Sequence, residues 1–385
     1  MEESQISVAQ KPKKEINYQF KVLYAIGIIN VLMAHSHSEN LAFWNELIHF
    51  AGYTIALFVF GSGYFYNPKN ENNIGSYLYK KFLKLIVPLY LWNLFYALLV
   101  LCLSRFGVTI GTPVTLYKLL ITPLYSTNLM GYNDPAWFLT PLFVTEVYNV
   151  FLRKLTAKRS GFKTDLIILI FNLFLGFFGV EISIYSPSCG WQLFFTRFMY
   201  FAPFYSIGYF YKTYLEKKDT ISSFWYFMII IIVELFLILI NGHTSSYSIV
   251  AMDSKFFENP FLPFFSGLLG IAFWLRIAKI LTPVIGHSKV INTIADNTFP
   301  IMMNHILGFM ILKLFYLFLS NLFDFLPKFD IEQFKIDVFY FYVPRGRGFP
   351  ILYVVAGILV PICIQKILIS LKKHLYFRRS GAEHV

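Results

Sequence analysis

The sequence predicts an all-α integral membrane protein, a polytopic bundle of about ten transmembrane helices with both termini cytoplasmic. Three observations predict it: the composition, the spacing of the apolar runs and the distribution of basic residues. The chain is 57% hydrophobic, 20% aromatic and 14% charged, whereas an average soluble domain is about 25% charged and about 45–50% apolar. Crossing a hydrocarbon core of roughly 30 Å takes about 20 apolar residues, so about ten crossings leave loops too short for a second soluble domain.

Apolar runs of spanning length fall at 19–37, 48–66, 82–103, 136–152, 164–183, 194–212, 223–241, 261–280, 299–320 and 349–370. Such lengths suit helices, which satisfy their own backbone in lipid, better than the strands of about ten residues that build barrels. The first run follows a polar tail and ends in His35-Ser36-His37 without a small-residue cleavage signature, so it reads as an uncleaved helix. The second carries Gly61-Ser62-Gly63, too short for a phosphate loop and suited to close helix packing or a helix end. The third is opened by Lys80-Lys81-Phe82-Leu83-Lys84, with Lys81 and Lys84 on one face. These lysines read either as an anchor snorkelling to lipid phosphates or as a cradle for a phosphorylated cytoplasmic ligand. Before the fourth, Asn133-Asp134-Pro135 is a helix-start signal, and Trp137-Phe138 reads as an outer aromatic belt. Between the ninth and tenth lies the longest outer loop, about 321–348, where Arg345-Gly346-Arg347-Gly348 reads as an ordinary flexible loop rather than a recognition element.

The net charge of +12 is dispersed over short loops rather than gathered on one domain, which argues against nucleic acid as a partner. With the first helix starting inside, Lys11, Lys13, Lys14, Lys80, Arg153, Lys154, Lys158, Arg159, Lys217, Lys218, Arg276, Lys279, Lys372 and Lys373 all fall on one side. The positive-inside rule makes that side cytoplasmic. The chain then divides into a cytoplasmic tail at 1–18, a membrane domain at 19–371 and a second cytoplasmic tail at 372–385. Cys102, Cys189 and Cys363 lie far apart without CxxC spacing, so no disulfide framework and no metal site is expected.

Ionisable groups inside a membrane cost roughly 2.5–3.5 kcal/mol each on insertion scales and are functional candidates by default. Here they are His35, Glu146, Arg197, Glu234, His305 and Lys313. His35 is suited to general-base work at neutral pH or to donating a hydrogen bond to an interfacial carbonyl. His37, two residues on, points about 200° away, so the two cannot share a metal. Glu146 has Asn149 one turn along; it faces a cavity, or it fixes helix packing as a protonated or Arg-paired carboxyl. His305 is either functional or a hydrogen-bond partner across helices.

Five motifs in order resemble membrane-bound acyltransferase family 3, the group that O-acylates surface glycans. They are YAIGIINVLMAHSH ending at His37, IALFVFGSGYFY with Ser62-Gly63-Tyr64, YKKFLKLIVPLYLWN with Lys81, Lys84 and Pro88, AWFLTPLFV, and DNTFPIMMNH ending at His305. The resemblance covers about residues 20–370. It implies an acetyl-CoA-like donor in the cytoplasm, no bound cofactor, and an acceptor hydroxyl on an extracytoplasmic or lipid-linked glycan, with the bundle in the cell membrane bridging the two. His35 would be the catalytic base; Lys81, Lys84, Ser62 and His305 would serve the donor, and Tyr24, Lys21, Trp137 and Glu146 would support them. Counted along its helix, His305 should lie about 10 Å in, shallower than His35 and lining the donor path. The chain departs from the family pattern at Tyr24, where a basic residue is expected, and near Thr54, where a His is common; Lys21, one turn before Tyr24, is a partial substitute. A transporter of glycan precursors and a glycan polymerase are the rival readings, the first using Glu146, Glu234 and His305 as a path.

Overall fold

The computed structural model describes residues 16–36, 54–126, 129–185, 190–241, 261–344 and 349–382. These are predominantly helical, with no strand among the described residues. A helix lies in each of the ten apolar windows: α1 Tyr18–His35, α2 Thr54–Tyr64, α3 Ile74–Ser104, α4 Leu139–Thr156, α5 Phe162–Tyr185, α6 Gly190–Phe210, α7 Ser223–Asn241, α8 Phe261–Ile285, α9 Thr298–Leu322 and α10 Phe349–Ala382. Five of them, α3, α5, α8, α9 and the Ile351–His374 part of α10, are long and apolar enough to cross a membrane. Expected features that fall on His37, Cys189, Arg345, Arg347 and the lysines of the N-terminal tail lie outside the described residues.

Burial separates core helices from lipid-facing ones. In α1, Val22, Leu23, Ala25, Ile28, Asn30, Val31 and Leu32 are all buried, and a helix buried on most sides belongs inside a bundle. It packs against α2, α8, α9, α10 and the short helix Lys289–Asp296. By contrast α7 exposes Ile232, Leu235, Phe236 and Leu239, the apolar surface expected of a helix at the rim of a membrane bundle.

Small residues set the helix crossings. Where α2 meets α6, a Cβ at Gly63 would enter the Tyr205 carbonyl, and one at Gly208 would enter the Phe60 carbonyl. The same device joins α9 to α10, where a Cβ at Gly308 would come within 2.6 Å of the Ala356 oxygen. With no hydrophobic drive between helices in lipid, close backbone approach of this kind is what holds them together. Both readings of Gly61-Ser62-Gly63 hold, because α2 also ends one residue later, at Tyr64.

α3 begins earlier than the sequence suggests. The side chain of Asn73 caps it by accepting from the Ser76 N–H at 3.0 Å, so Lys81 and Lys84 sit within the helix rather than at its mouth. A π turn at Phe82–Ile86 precedes Pro88; lacking an N–H, Pro88 leaves a gap in the ladder that such a turn accommodates. Two residues expected among the loop anchors are also core: Arg153 pairs with Asp165 at 2.8 Å and Arg276 with Asp219 at 2.5 Å, each guanidinium being buried.

The described part of the segment after α9 is folded back onto the bundle. Its short helix Ile331–Ile336 is capped by Asp330. Tyr342 and Tyr353 exchange hydrogen bonds of 3.1 and 3.0 Å, and buried Lys313 donates to the Val338 carbonyl at 2.5 Å.

Candidate active site

His35 is the last residue of α1, and its ring meets that of His305 in α9. Nδ1 of His35 lies 2.8 Å from Nε2 of His305, with the rings within 5° of parallel and their centroids 5.0 Å apart. His305 is fully buried and His35 partly exposed. Nδ1 of His305 stands 3.1 and 3.0 Å from the carbonyl oxygens of Ile301 and Met302. A carbonyl only accepts, so this nitrogen carries the proton, and in a neutral ring Nε2 must then accept. His35 therefore donates from Nδ1, which puts the lone pair on its Nε2. A neutral imidazole held in one tautomer by a fixed partner can take a proton from a hydroxyl.

The counted depths placed these residues at different levels, and the structure brings them together. The short helix Lys289–Asp296 packs on α1, and Lys21 of α1 holds Asp296 at 2.8 Å. α9 follows directly, so its first turn lies near the first turn of α1. Gly357 of α10 backs the pair: a Cβ there would stand 2.9 Å from Leu32 and 3.4 Å from the Cβ of His305. Phe339 flanks His35 at 6.4 Å between centroids, and Phe309 flanks His305 at 5.5 Å.

A second cluster gathers around α3 and α4. Nζ of Lys81 is 2.5 Å from Oε1 of buried Glu146, and Lys81 is about a quarter exposed at 26%. Glu146 is thus paired, with a lysine rather than an arginine. Exposed Lys84 is close enough for its charge to act on the same carboxylate. The Lys81 ammonium also stands 5.5 Å from the centre of the Tyr77 ring. One turn on, Asn149 accepts from Nε of Arg153 at 3.2 Å, and the Arg153 guanidinium lies 3.6 Å from the centre of the Tyr209 ring.

The remaining candidates are scattered. Tyr24 turns to α2, where its ring and hydroxyl occupy the space a Cβ at Gly61 would need. Lys21 is committed to Asp296. Ser62 is partly exposed on α2 between the two glycines. Trp137 is buried rather than part of a lipid-facing belt: Arg197, itself buried, lays its guanidinium 4.2 Å from the Trp137 ring and donates to the Tyr125 carbonyl at 2.8 Å. Burying that cation in the bundle needs a π face and a carbonyl, and Trp137 supplies the first. Sequence reasoning missed Asn304, whose Oδ1 accepts from the Tyr96 hydroxyl at 2.7 Å beside His305. Its position in the Asn304-His305 pair was the available signal.

A family model described as an acyltransferase domain matches residues 17–367. The chain belongs to acyltransferase family 3. No curated protein and no solved structure matches it. Membership of acyltransferase family 3 makes the chain a membrane acyltransferase, and the matched stretch contains all five motifs together with both side-chain clusters.

Proposed function

We propose that this protein moves an acyl group, most simply acetyl, from a cytoplasmic acyl-CoA to a hydroxyl of an extracytoplasmic or lipid-linked glycan. The contact between His35 and His305 carries the reading. In it, Nε2 of His35 takes the acceptor's proton as the hydroxyl oxygen attacks the thioester carbonyl. The C–O bond forms, the C–S bond breaks, and the imidazolium returns its proton to the departing thiolate. His305 accepts from Nδ1 of His35 throughout, holding the tautomer and stabilising the cation while it lasts, a positioning role like that of the third member of a hydrolase triad. Lys81 and Lys84 receive the donor's phosphates as point charges, with Ser62 on the neighbouring helix, and the cell membrane separates donor from acceptor. Two measurements test this. Purified protein supplied with acetyl-CoA and a glycan acceptor should release free CoA thiol in step with acylated glycan. Surface glycan from cells lacking the protein should lose the mass of one acyl group. Unchanged glycan mass together with no thiol release sinks the proposal.

A further inference from the structure

Two buried polar atoms on α4 are left without a hydrogen-bond partner among the described residues: Oε2 of Glu146 and Nδ2 of Asn149. Their residues are 1% and 2% exposed. Neighbouring bonds fix the polarity of both. Lys81 occupies Oε1 of Glu146, leaving Oε2 as an acceptor. Arg153 donates to Oδ1 of Asn149, so the amide cannot be flipped and Nδ2 is a donor. Residues three apart on a helix are neighbours on one face. That face thus offers one acceptor and one donor side by side, the complement of a secondary amide. Buried groups left unmatched are exceptional in native structures and call for a ligand or a water.

We infer that Glu146 and Asn149 form a subsite for a secondary amide, Oε2 accepting from its N–H and Nδ2 donating to its carbonyl. Resting on the acyl-CoA reading above, the inference assigns this amide to the pantetheine arm of the donor rather than to an acetamido group of the acceptor sugar. Lys81 decides between them. Its ammonium sits on the same carboxylate, and in CoA only the short pantoyl unit separates the pyrophosphate from the first amide. A lysine that meets the phosphate therefore has its carboxylate partner within reach of that amide. Lys81 is also the partly exposed member of the cluster, so it is the group that an incoming phosphate meets first.

The experiment uses the full-length protein in detergent or nanodiscs, with acetyl-CoA and with analogues in which each pantetheine amide N–H is replaced in turn by a methylene. Asn149→Leu and Glu146→Gln are the variants; the second keeps the shape and an oxygen for Lys81 but turns the other atom into a donor. Each should raise the KM for acetyl-CoA roughly five-fold, the loss of one hydrogen bond, and leave the acceptor KM unchanged. One of the two analogues should be bound about as weakly by wild type as acetyl-CoA is by Glu146→Gln, and should lose little more in that variant, because both changes remove the same bond. Donor KM unchanged in both variants, with transfer intact, would mean a buried water only and would overturn the subsite while the proposed function stands. A rise in acceptor KM alone would move the amide to the sugar and overturn the pantetheine assignment. Failure of wild type to consume any acyl-CoA would remove the subsite together with the function it rests on.

Discussion

At the residue scale, His305 takes its proton position from two backbone carbonyls and imposes it on His35, so the two histidines are predicted to fail differently. His35→Ala removes a positioned general base and should lower acyl transfer by about 10²–10⁴-fold. His305→Phe keeps a ring in the same place but leaves the His35 N–H unmatched, a penalty of about 1–3 kcal/mol. That corresponds to a fall of about five- to 150-fold in kcat with both KM values unchanged. Steady-state kinetics normalised to membrane-inserted protein separates the two. A His305→Phe loss that appears in KM, or that exceeds this range, would overturn the positioning role. A further titratable residue lies in the short turn before α4. Asp134 accepts from the N–H groups of Leu129 at 2.8 Å and Gly131 at 3.0 Å, yet burial outweighs those bonds and pushes its carboxyl up to about 6. Since its folded-state value exceeds the ordinary one near 3.9, the folded protein binds the extra proton between those pH values. The resulting stabilisation is present below about pH 4 and is lost as pH rises through about 6. Stability should therefore fall by roughly 1 kcal/mol between pH 5 and pH 7, read as a lower Tm, and Asp134→Asn should flatten that slope.

At the element scale, the crossing of α2 and α6 tolerates no side chain at Gly63 or Gly208. Gly63→Ala and Gly208→Ala should each cost about 1–3 kcal/mol or more, because a backbone carbonyl must move. Gly75→Ala, in a helix turn with nothing within 4 Å of the added carbon, should be neutral or slightly stabilising. Thermal melts in detergent compare the three, and a stable Gly63→Ala protein would show that the two helices are free to separate. Element positions were legible in the sequence because an apolar helix writes its length as apolar residues: each predicted window holds a helix, and five of these helices are long and apolar enough to cross a membrane. The start of α3 was not, because its first turns are polar and only the Asn73 cap marks them. Trp137 was misplaced for a related reason. An aromatic ring after a helix-start signal looks the same whether it faces lipid or a buried guanidinium, and Arg197 lies 60 positions further along the sequence.

At the scale of the whole molecule, the sequence named His35 and His305 through separate motifs but could not show that they touch, since the contact depends on where α9 begins in the bundle. Counting residues along a helix gives position only along its own axis from its own first residue, and says nothing of how two helices are offset or tilted against each other. The proposed orientation rests on the basic residues that remain in loops. A single cysteine introduced at Arg159 or Lys218 should be inaccessible to an impermeant thiol reagent in intact cells, while one at Asp324 or Lys328 should react. Labelling of Arg159 from outside would invert the bundle and, with it, the side from which the donor enters.

The reach of the histidine pair also governs how the protein can be made. His35 and His305 are 270 positions apart in the chain, so at about 5–20 residues per second the first is synthesised tens of seconds before its partner exists. During that interval α1 must wait while three of the helices it packs against, α8, α9 and α10, are still unmade. Its companions at that stage are α2 and whatever the insertion machinery supplies. Docking of α1 is therefore a late event, completed after the last helices arrive, and a nascent chain halted after Ile285 should carry an α1 still open to quality-control proteases. Supplying the missing C-terminal segment as a separate polypeptide should close the bundle and restore protection.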